Sequence, residues 1–263
     1  MNSKEKKFSI GEFYNRFGIF LVFLLMFVIF SIWNRAFLSG MNVRNILRQI
    51  VVITIMACGE QLMIICGMID LSASRVLACA GTLSAYTVLV TGNLFLAILV
   101  GILVGFLFGA FNGLVITLFD IPPFIATLAS MMVAEGAIMA FTGGQNYSNL
   151  GAAYQFIGQG YIGVIPFPVF IMAFVLLITY YILSWTPTGR AMYAVGGNTA
   201  AARASGINVK FTKFFAAAFA GVMSAVAGIV LMSRMNSGQP AAAESYEMDA
   251  ITAVIIGGTS MSG

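Results

Sequence analysis

Long apolar stretches alternate with short polar segments along this chain, and the charged residues mark where the stretches end. The 44 residues between Arg75 and Asp120 carry no charge, and neither do the 20 residues between Lys213 and Arg234. Because about 20 apolar residues in a helix cross a bilayer, the pattern predicts an all-α fold, a polytopic bundle of transmembrane helices. About eight spans are predicted, roughly at 17–34, 46–68, 74–91, 94–118, 123–142, 167–185, 213–233 and 249–260.

Composition supports a protein whose solvent is the bilayer. Hydrophobic residues make up 60% of the 263 residues and charged residues only 8%, whereas a soluble domain has about 25% charged residues. The chain has no His, which excludes imidazole catalysis and His-ligated metal, and no metal site is expected. Cys58, Cys66 and Cys79 lie in apolar segments without a CxxC pair and are interpreted as buried apolar residues, with a disulfide or metal site as the alternative.

The distribution of Lys and Arg predicts a cytoplasmic N-terminus. In that orientation nine of the 13 basic residues are cytoplasmic and four are external, in keeping with the enrichment of positive charge in cytoplasmic loops. Segment 143–166 is then an external loop with a short re-entrant or interfacial piece, and 186–212 is cytoplasmic. The cytoplasmic set is Lys4, Lys6, Lys7, Arg16, Arg75, Arg190, Arg203, Lys210 and Lys213, and the external set is Arg35, Arg44, Arg48 and Arg234.

One predicted span carries a row of glycines. Gly101, Gly105, Gly109 and Gly113 follow one another at intervals of four residues, which places them on one slowly drifting stripe of a helix. Bare glycine lets a second helix backbone come close. The stripe is interpreted as a helix-packing surface, and a substrate path lined by glycine is the alternative.

Few residues in the chain could carry chemistry. The sequence GxxxxGK[ST] is absent, so nucleotide binding through a P-loop is excluded. Glu60, Gln61 and Glu135 lie within predicted spans, and ionisable residues there mark functional sites. The two carboxylates are expected to be isolated, with no buried basic residue to pair with, and the three residues are the candidates for a hydrophilic substrate path. Asp70 and Ser72 are expected to form a turn, capping the next helix, with a cytoplasmic ion pair to Arg75.

The segment 186–212, TPTGRAMYAVGGNTAAARASGINVKFT, is polar, basic and divided by glycines. A possible short helix at 189–195 is expected to be broken by Gly196 and Gly197. Asn198 is a good N-cap for a second helix over 199–205, and Gly206 is a good C-terminal stop. This helix is rich in alanine and too small to bury much apolar surface in lipid, so it is predicted to fit a groove on a partner protein.

Three motifs in this chain resemble those of the ribose-type ABC sugar permeases, within the branched-chain amino acid/ribose permease superfamily. They are TPTGRAMYAVGGNTAAARASGI, GMIDLSAS and the final AVIIGGTSMSG, in the order and at the spacing of that family. The resemblance implies an ABC importer permease fold with one transmembrane domain over 1–263 and a cytoplasmic coupling loop at 186–212. The residues implied to couple to the ATPase are Arg190, Asn198, Ala201, Arg203, Ser205 and Gly206.

The same resemblance implies a multi-pass protein of the bacterial plasma membrane. Its implied partners are a second permease subunit, identical or not, separate ATPase subunits and an extracytoplasmic sugar-binding protein. The chain itself is expected to be no enzyme and to hold no cofactor, since ATP is used by the partner ATPase. The family has about ten spans and continues beyond the GGTS motif, so the chain is interpreted as C-terminally truncated.

Two other functions stay open at this point. An ion-coupled secondary transporter of a small polar solute would use Glu60 and Glu135 as its ion-binding groups. An integral membrane enzyme would need a Cys/His pair or a dense carboxylate cluster, which the sequence lacks. The sugar itself cannot be read from the sequence, because its selection in this family begins at the separate binding protein.

Overall fold

The computed structural model describes residues 10–260, with side chains from Gly18 onward. Lys4, Lys6, Lys7, the side chain of Arg16 and the end of the GGTS motif at Gly263 lie outside the described residues. The chain divides into two compact units, 1–46 and 47–263. The prediction of one domain over the whole chain therefore stays a prediction.

The first unit contains α1 (Ile10–Trp33) and the beginning of α2 (Gly40–Ile65). The ring of Phe37, in the turn between them, contacts the rings of Phe27 and Phe30, with centroids 5.4 and 6.0 Å apart. The side-chain amide of Asn42 donates a hydrogen bond of 2.8 Å to the carbonyl oxygen of Phe37. These contacts fix the turn that follows the first predicted span.

Six helices in residues 10–260 are long and apolar enough to cross a membrane. They are α2, α3 (Ala73–Thr91), α4 (Leu94–Leu118), α5 (Pro123–Thr142), α7 (Phe167–Trp185) and α10 (Val209–Met235). The bounds of α4, α5 and α7 coincide with the predicted spans. Local signals explain this agreement, since Gly92 ends α3 at φ 65° and Asn93 caps α4 by accepting a bond of 3.1 Å from the backbone N–H of Leu96.

Two predicted spans are not among these six helices. In α1, whose side chains are described from Gly18 onward, the described apolar stretch is Gly18–Trp33, and the predicted span at 17–34 begins before it. The last helix, α11 (Tyr246–Ile256), has 11 residues and is about 16 Å long at 1.5 Å per residue, which is short for a bilayer. Six of the predicted spans are thus confirmed as helices of sufficient length, and the number eight stays a prediction.

The long helix α10 lies at the centre of the second unit and packs against α3, α4 and the short helix α6 (Ala152–Gln159). The glycine stripe of α4 faces it. A Cβ atom at Gly105 would collide with the carbonyl oxygen of Gly221, and one at Gly113 would lie 3.0 Å from the ring of Phe214. The interpretation of the stripe as a helix-packing surface is therefore confirmed, because α10 packs directly against it.

The other faces of α10 also approach backbones closely. A Cβ atom at Gly81 of α3 would lie 2.7 Å from the carbonyl oxygen of Gly228, and one at Gly59 of α2 would lie 2.9 Å from the Cα atom of Ala220. Close approach through small residues is the usual way in which helices associate in membranes. Movement of α10 would consequently be transmitted to α2, α3 and α4.

The segment 143–166 forms short elements and no span, as predicted, and its external position stays a prediction. Strand β1 (Tyr147–Ser148) pairs antiparallel with β4 (Ser237–Gly238), and β2 (Tyr161–Ile162) pairs with β3 (Ile165–Pro166). Helix α6 buries Tyr154, whose hydroxyl donates a hydrogen bond of 3.1 Å to Oγ of Ser84. The short helix thus packs on the bundle at the end of α10.

Candidate functional site

Two short helices connect α7 to α10, and both lie within the segment 186–212 that the sequence singled out. Helix α8 spans Pro187–Gly197, and α9 spans Thr199–Ala204. Thr186 caps α8 by accepting a bond of 3.1 Å from the backbone N–H of Gly189. The expected break at Gly196 and Gly197 is wrong, because both glycines are helical and α8 ends only where Asn198 turns to an extended conformation.

The second helix is closed at both ends as predicted. The side chain of Asn198 accepts a bond of 2.9 Å from the backbone N–H of Ala201, which satisfies one of the free donors of the first turn. Ser205 follows the last helical residue and its backbone N–H bonds to Ala201, while Gly206 has a φ of 82° that favours glycine. A helix of six residues would not form by itself, so the caps and its anchor define it.

The anchor of α9 is a small apolar cluster. Ala202 is 4% exposed and packs with Val195 of α8 and Val209 of α10, together with Ala194 and Ile207. Apart from half-buried Thr199, the rest of the helix is exposed. We define the α9 surface as six exposed residues on α9 and on the chain beside it: Arg190, Asn198, Ala201, Arg203, Ser205 and Gly206.

The α9 surface offers unused positive charge. Arg190 and Arg203 are exposed, and within residues 10–260 neither guanidinium has a carboxylate within 4 Å. Together with Ala201, whose side chain is small, they form a rigid basic projection attached directly to α10. Such a projection can fit into an acidic or polar groove of another protein.

The candidates for the substrate path lie in three different environments. Glu60 is 1% exposed, and its Oε2 lies 3.4 Å from the backbone N–H of Asp70, so this carboxyl is enclosed in the bundle. Gln61, the next residue, faces cavities beside α7. Glu135 lies on α5, away from both. The structure therefore does not bring the three residues into one site.

Gln61 lines two adjoining cavities of about 230 and 200 Å³, which also share Leu176. Hydroxyl, thiol and amide groups provide the polar part of their walls. The lining residues with such groups are Thr54, Cys58, Gln61, Thr179, Tyr180, Ser184, Tyr193 and Thr259. Both cavities are therefore uncharged, moderately polar and large enough for a small solute.

Glu135 is paired with a basic residue. Its Oε1 lies 3.3 Å from Nη2 of Arg75, and the side chains are 39% and 11% exposed. The expectation of an isolated carboxylate is therefore wrong for Glu135, whereas Glu60 has no basic residue within 4 Å in the part of the chain that the structure describes. The expected ion pair between Asp70 and Arg75 is also wrong, because Arg75 pairs with Glu135 instead. The two residues are 60 positions apart in the sequence, so no local pattern could have revealed the pair.

The segment between α2 and α3 holds a second polar cluster. Oδ1 of Asp70 accepts bonds from the backbone N–H and the hydroxyl of Ser72, at 2.8 and 2.5 Å. The hydroxyl of Ser72 in turn accepts a bond of 3.0 Å from the side-chain amide of Asn112. The turn predicted at Asp70 and Ser72 is present. The expected cap is wrong, because neither side chain bonds to a free N–H of α3.

Asn112 is a residue that the sequence analysis missed. Apart from Thr117, it is the only polar side chain in the last two turns of α4. It lies six residues before the end of that helix. Asn112 is therefore about 9 Å from the end of α4. Because Asn112 bonds to Ser72, the helix break at 66–72 is held inside the bundle, where its hydrogen bonds must be made by protein groups.

A helical bundle with long apolar spans, a helix break stabilised by polar residues and an exposed capped loop defines a polytopic integral membrane protein. The chain belongs to the family described as the branched-chain amino acid transport system permease component, whose model matches residues 42–263. No solved structure matches the chain.

Among curated proteins, the ribose import permease protein RbsC of Haemophilus influenzae is 40% identical over all of this chain and 83% of its own length. RbsC of Bacillus subtilis is also 40% identical, over all of this chain and 82% of its own length. The L-arabinose transport system permease protein AraH of Escherichia coli is 33% identical over 98% of this chain and 79% of its own length. These matches confirm the resemblance to the ribose-type permeases that the three motifs indicated.

Proposed function

We propose that this chain is the membrane subunit of an ATP-driven importer of a ribose-like monosaccharide, coupled to a separate ATPase through the α9 surface. It would lie in the bacterial plasma membrane with its N-terminus in the cytoplasm. A second permease subunit, ATPase subunits and an external sugar-binding protein would complete the transporter. The similarity to ribose and arabinose permeases supports the substrate class.

The observation that carries the coupling role is the attachment of α9. The helix is capped by Asn198, exposed on one side, and anchored through Ala202 to Val209. Val209 is the first residue of α10, the helix that packs against the glycine faces of α3 and α4. A force applied to α9 would therefore reach the centre of the bundle without passing through a flexible loop.

Substitution of Ala201 tests this proposal. Ala201→Trp adds bulk on the α9 surface without touching the buried Ala202, so we expect the full transporter to lose its ATPase subunit on purification. Ala153→Trp is the matched control, because Ala153 is also an exposed alanine of a short helix. Retention of the ATPase and of ATP-dependent ribose uptake by Ala201→Trp would contradict the coupling role.

The alternative of an ion-coupled carrier predicts a different dependence on energy. The ion pair with Arg75 leaves Glu135 without the uncompensated charge that a cation site would use. Uptake that persists after ATP depletion, while a proton or sodium gradient is held, would favour the carrier. We expect uptake to stop under that condition.

A further inference from the structure

We propose that Arg75 and Glu135 line the transport path and bind sugar hydroxyl groups as the solute passes along the face where α3 and α5 pack together. The inference rests on the proposed function, since it names the contact residues of the same permease. It places the path on the side of α3 and α5 and away from the cavities beside Gln61. Arg75, which the charge pattern assigned to the cytoplasm, becomes a residue of the path.

The first observation is the depth of Glu135. It is residue 13 of the 20 in α5, so 12 helical residues precede it and seven follow. At 1.5 Å per residue, these lengths correspond to about 18 Å and about 10 Å. A carboxylate at this position lies well inside the hydrocarbon thickness if α5 crosses the bilayer.

The second observation is exposure. The side chain of Glu135 is 39% exposed although it is paired. An ion pair that faces acyl chains loses its hydration without full compensation, and charged residues in spans consequently face protein or water. The exposed positions of α4 show the contrast, because a lipid-facing surface there is made of large apolar side chains: Leu99, Leu103, Leu107, Phe111 and Leu114.

The third observation is unused hydrogen-bonding capacity. Nε of Arg75 is buried and has no hydrogen-bond partner in the part of the chain that the structure describes. A carboxylate accepts bonds from neighbouring hydroxyls, and a guanidinium donates several. A sugar, whose hydroxyls both donate and accept, can use both groups at once, which neither an acyl chain nor an apolar helix can do.

The surroundings of Glu135 suit the remaining surface of a sugar. Met131 and Met139 lie one turn before and one turn after it on α5 and are partly buried, so they flank it on the same side of the helix. Thioether side chains are adaptable apolar surfaces and could pack against the C–H face of a sugar ring. The cavities beside Gln61 are lined by no charged residue. Another helix could therefore cover them without the cost of removing a charged pair from water, which covering Arg75 and Glu135 would carry.

Cysteine accessibility in the full transporter tests the location of the path. Met131→Cys and Met139→Cys are made after replacement of the three buried cysteines, Cys58, Cys66 and Cys79, by alanine. A water-soluble, membrane-impermeant thiol reagent should label both positions and block ribose uptake. Leu103→Cys on the lipid-facing side of α4 is the control and should stay unlabelled. Labelling of Tyr180→Cys beside Gln61, with Met131→Cys and Met139→Cys unlabelled, would overturn the inference.

A second measurement separates sugar contact from a structural role. Glu135→Gln keeps the shape of the side chain and removes its charge, so we expect uptake of ribose to fall roughly tenfold or more. The relative rates for ribose, arabinose and xylose should also change, whereas a structural defect would lower all three rates in proportion. A proportional decrease, or wild-type rates, would overturn the inference. Absence of ATP-dependent uptake by the unmodified transporter would instead contradict the proposed function.

Discussion

The contact between α4 and α10 gives a prediction that can be worked from atomic distances. A Cβ atom at Gly105 would collide with the carbonyl oxygen of Gly221 and lie 2.5 Å from Cβ of Ala225, whereas ordinary contacts begin at 3.4 Å. Gly105→Ala therefore requires the helices to separate by most of an ångström. Overpacking of this kind costs about 1–3 kcal/mol of unfolding free energy.

Gly136→Ala is the matched control for this substitution. Gly136 is also in the interior of a spanning helix, but no atom lies within 4 Å of the position of its Cβ. Alanine is favoured over glycine in a helix by about 1 kcal/mol, and this gain applies to both variants. The difference between them therefore isolates the effect of the collision.

Thermal unfolding of the purified protein in detergent measures that difference. For chains of about 150–250 residues, 1 kcal/mol corresponds to a change in midpoint of roughly 2–4 °C. Gly105→Ala should unfold several degrees below Gly136→Ala, and it should lower transport even when the protein is present in the membrane in normal amount. Equal unfolding midpoints for the two variants would refute the close packing of α4 on α10.

Three further predictions follow from the hydrogen bonds. Asn198→Ala removes the cap of α9 and should cost about 1 kcal/mol, seen as faster amide exchange in α9, whereas Asn198→Asp should preserve the slow exchange. Asp70→Ala leaves the Ser72 N–H without its acceptor and should cost about 1–3 kcal/mol, measured as a lower unfolding midpoint than that of Asp70→Asn. Burial raises the pKa of Tyr154. The stabilisation that the neutral hydroxyl gives to the folded state is therefore complete below about pH 10 and is lost as the pH rises further. Tyr154→Phe should lose less stability than the unmodified chain in that alkaline range, and an unchanged alkaline dependence would contradict the burial of this hydroxyl.

The sequence predicts most of the helical architecture because hydrophobicity and local breakers specify it. Two prolines at 122 and 123 start α5, and Gly92 with Asn93 separates α3 from α4. The cap at Asn198 is also a local signal, which is why α9 was predicted with nearly correct bounds. Gly196 and Gly197 misled the prediction for α8, because helix-breaking tendency is weak at the last turn of a helix and costs only about 1 kcal/mol per glycine.

The polar contacts could not be predicted in the same way. Arg75 belongs to α3 and Glu135 to α5, and Ser72 and Asn112 come from different elements, so their meeting depends on the packing of helices. The cytoplasmic placement of Arg75 stays a prediction, but its pairing with Glu135 could not be predicted, because a count of basic residues in loops takes no account of helix packing. The glycine stripe, by contrast, indicated packing correctly but not its partner, which the structure identifies as α10.

Site-specific cross-linking tests the coupling role of α9 most directly. A photo-reactive amino acid is placed at Ala201 in the full transporter, and in a second sample at Ala153 as the control. We expect the ATPase subunit to be cross-linked from position 201 and not from position 153, with the yield changing between the nucleotide-free and ATP-bound states. An ATPase that purifies with the transporter but forms no cross-link from position 201 in either state would contradict coupling through the α9 surface.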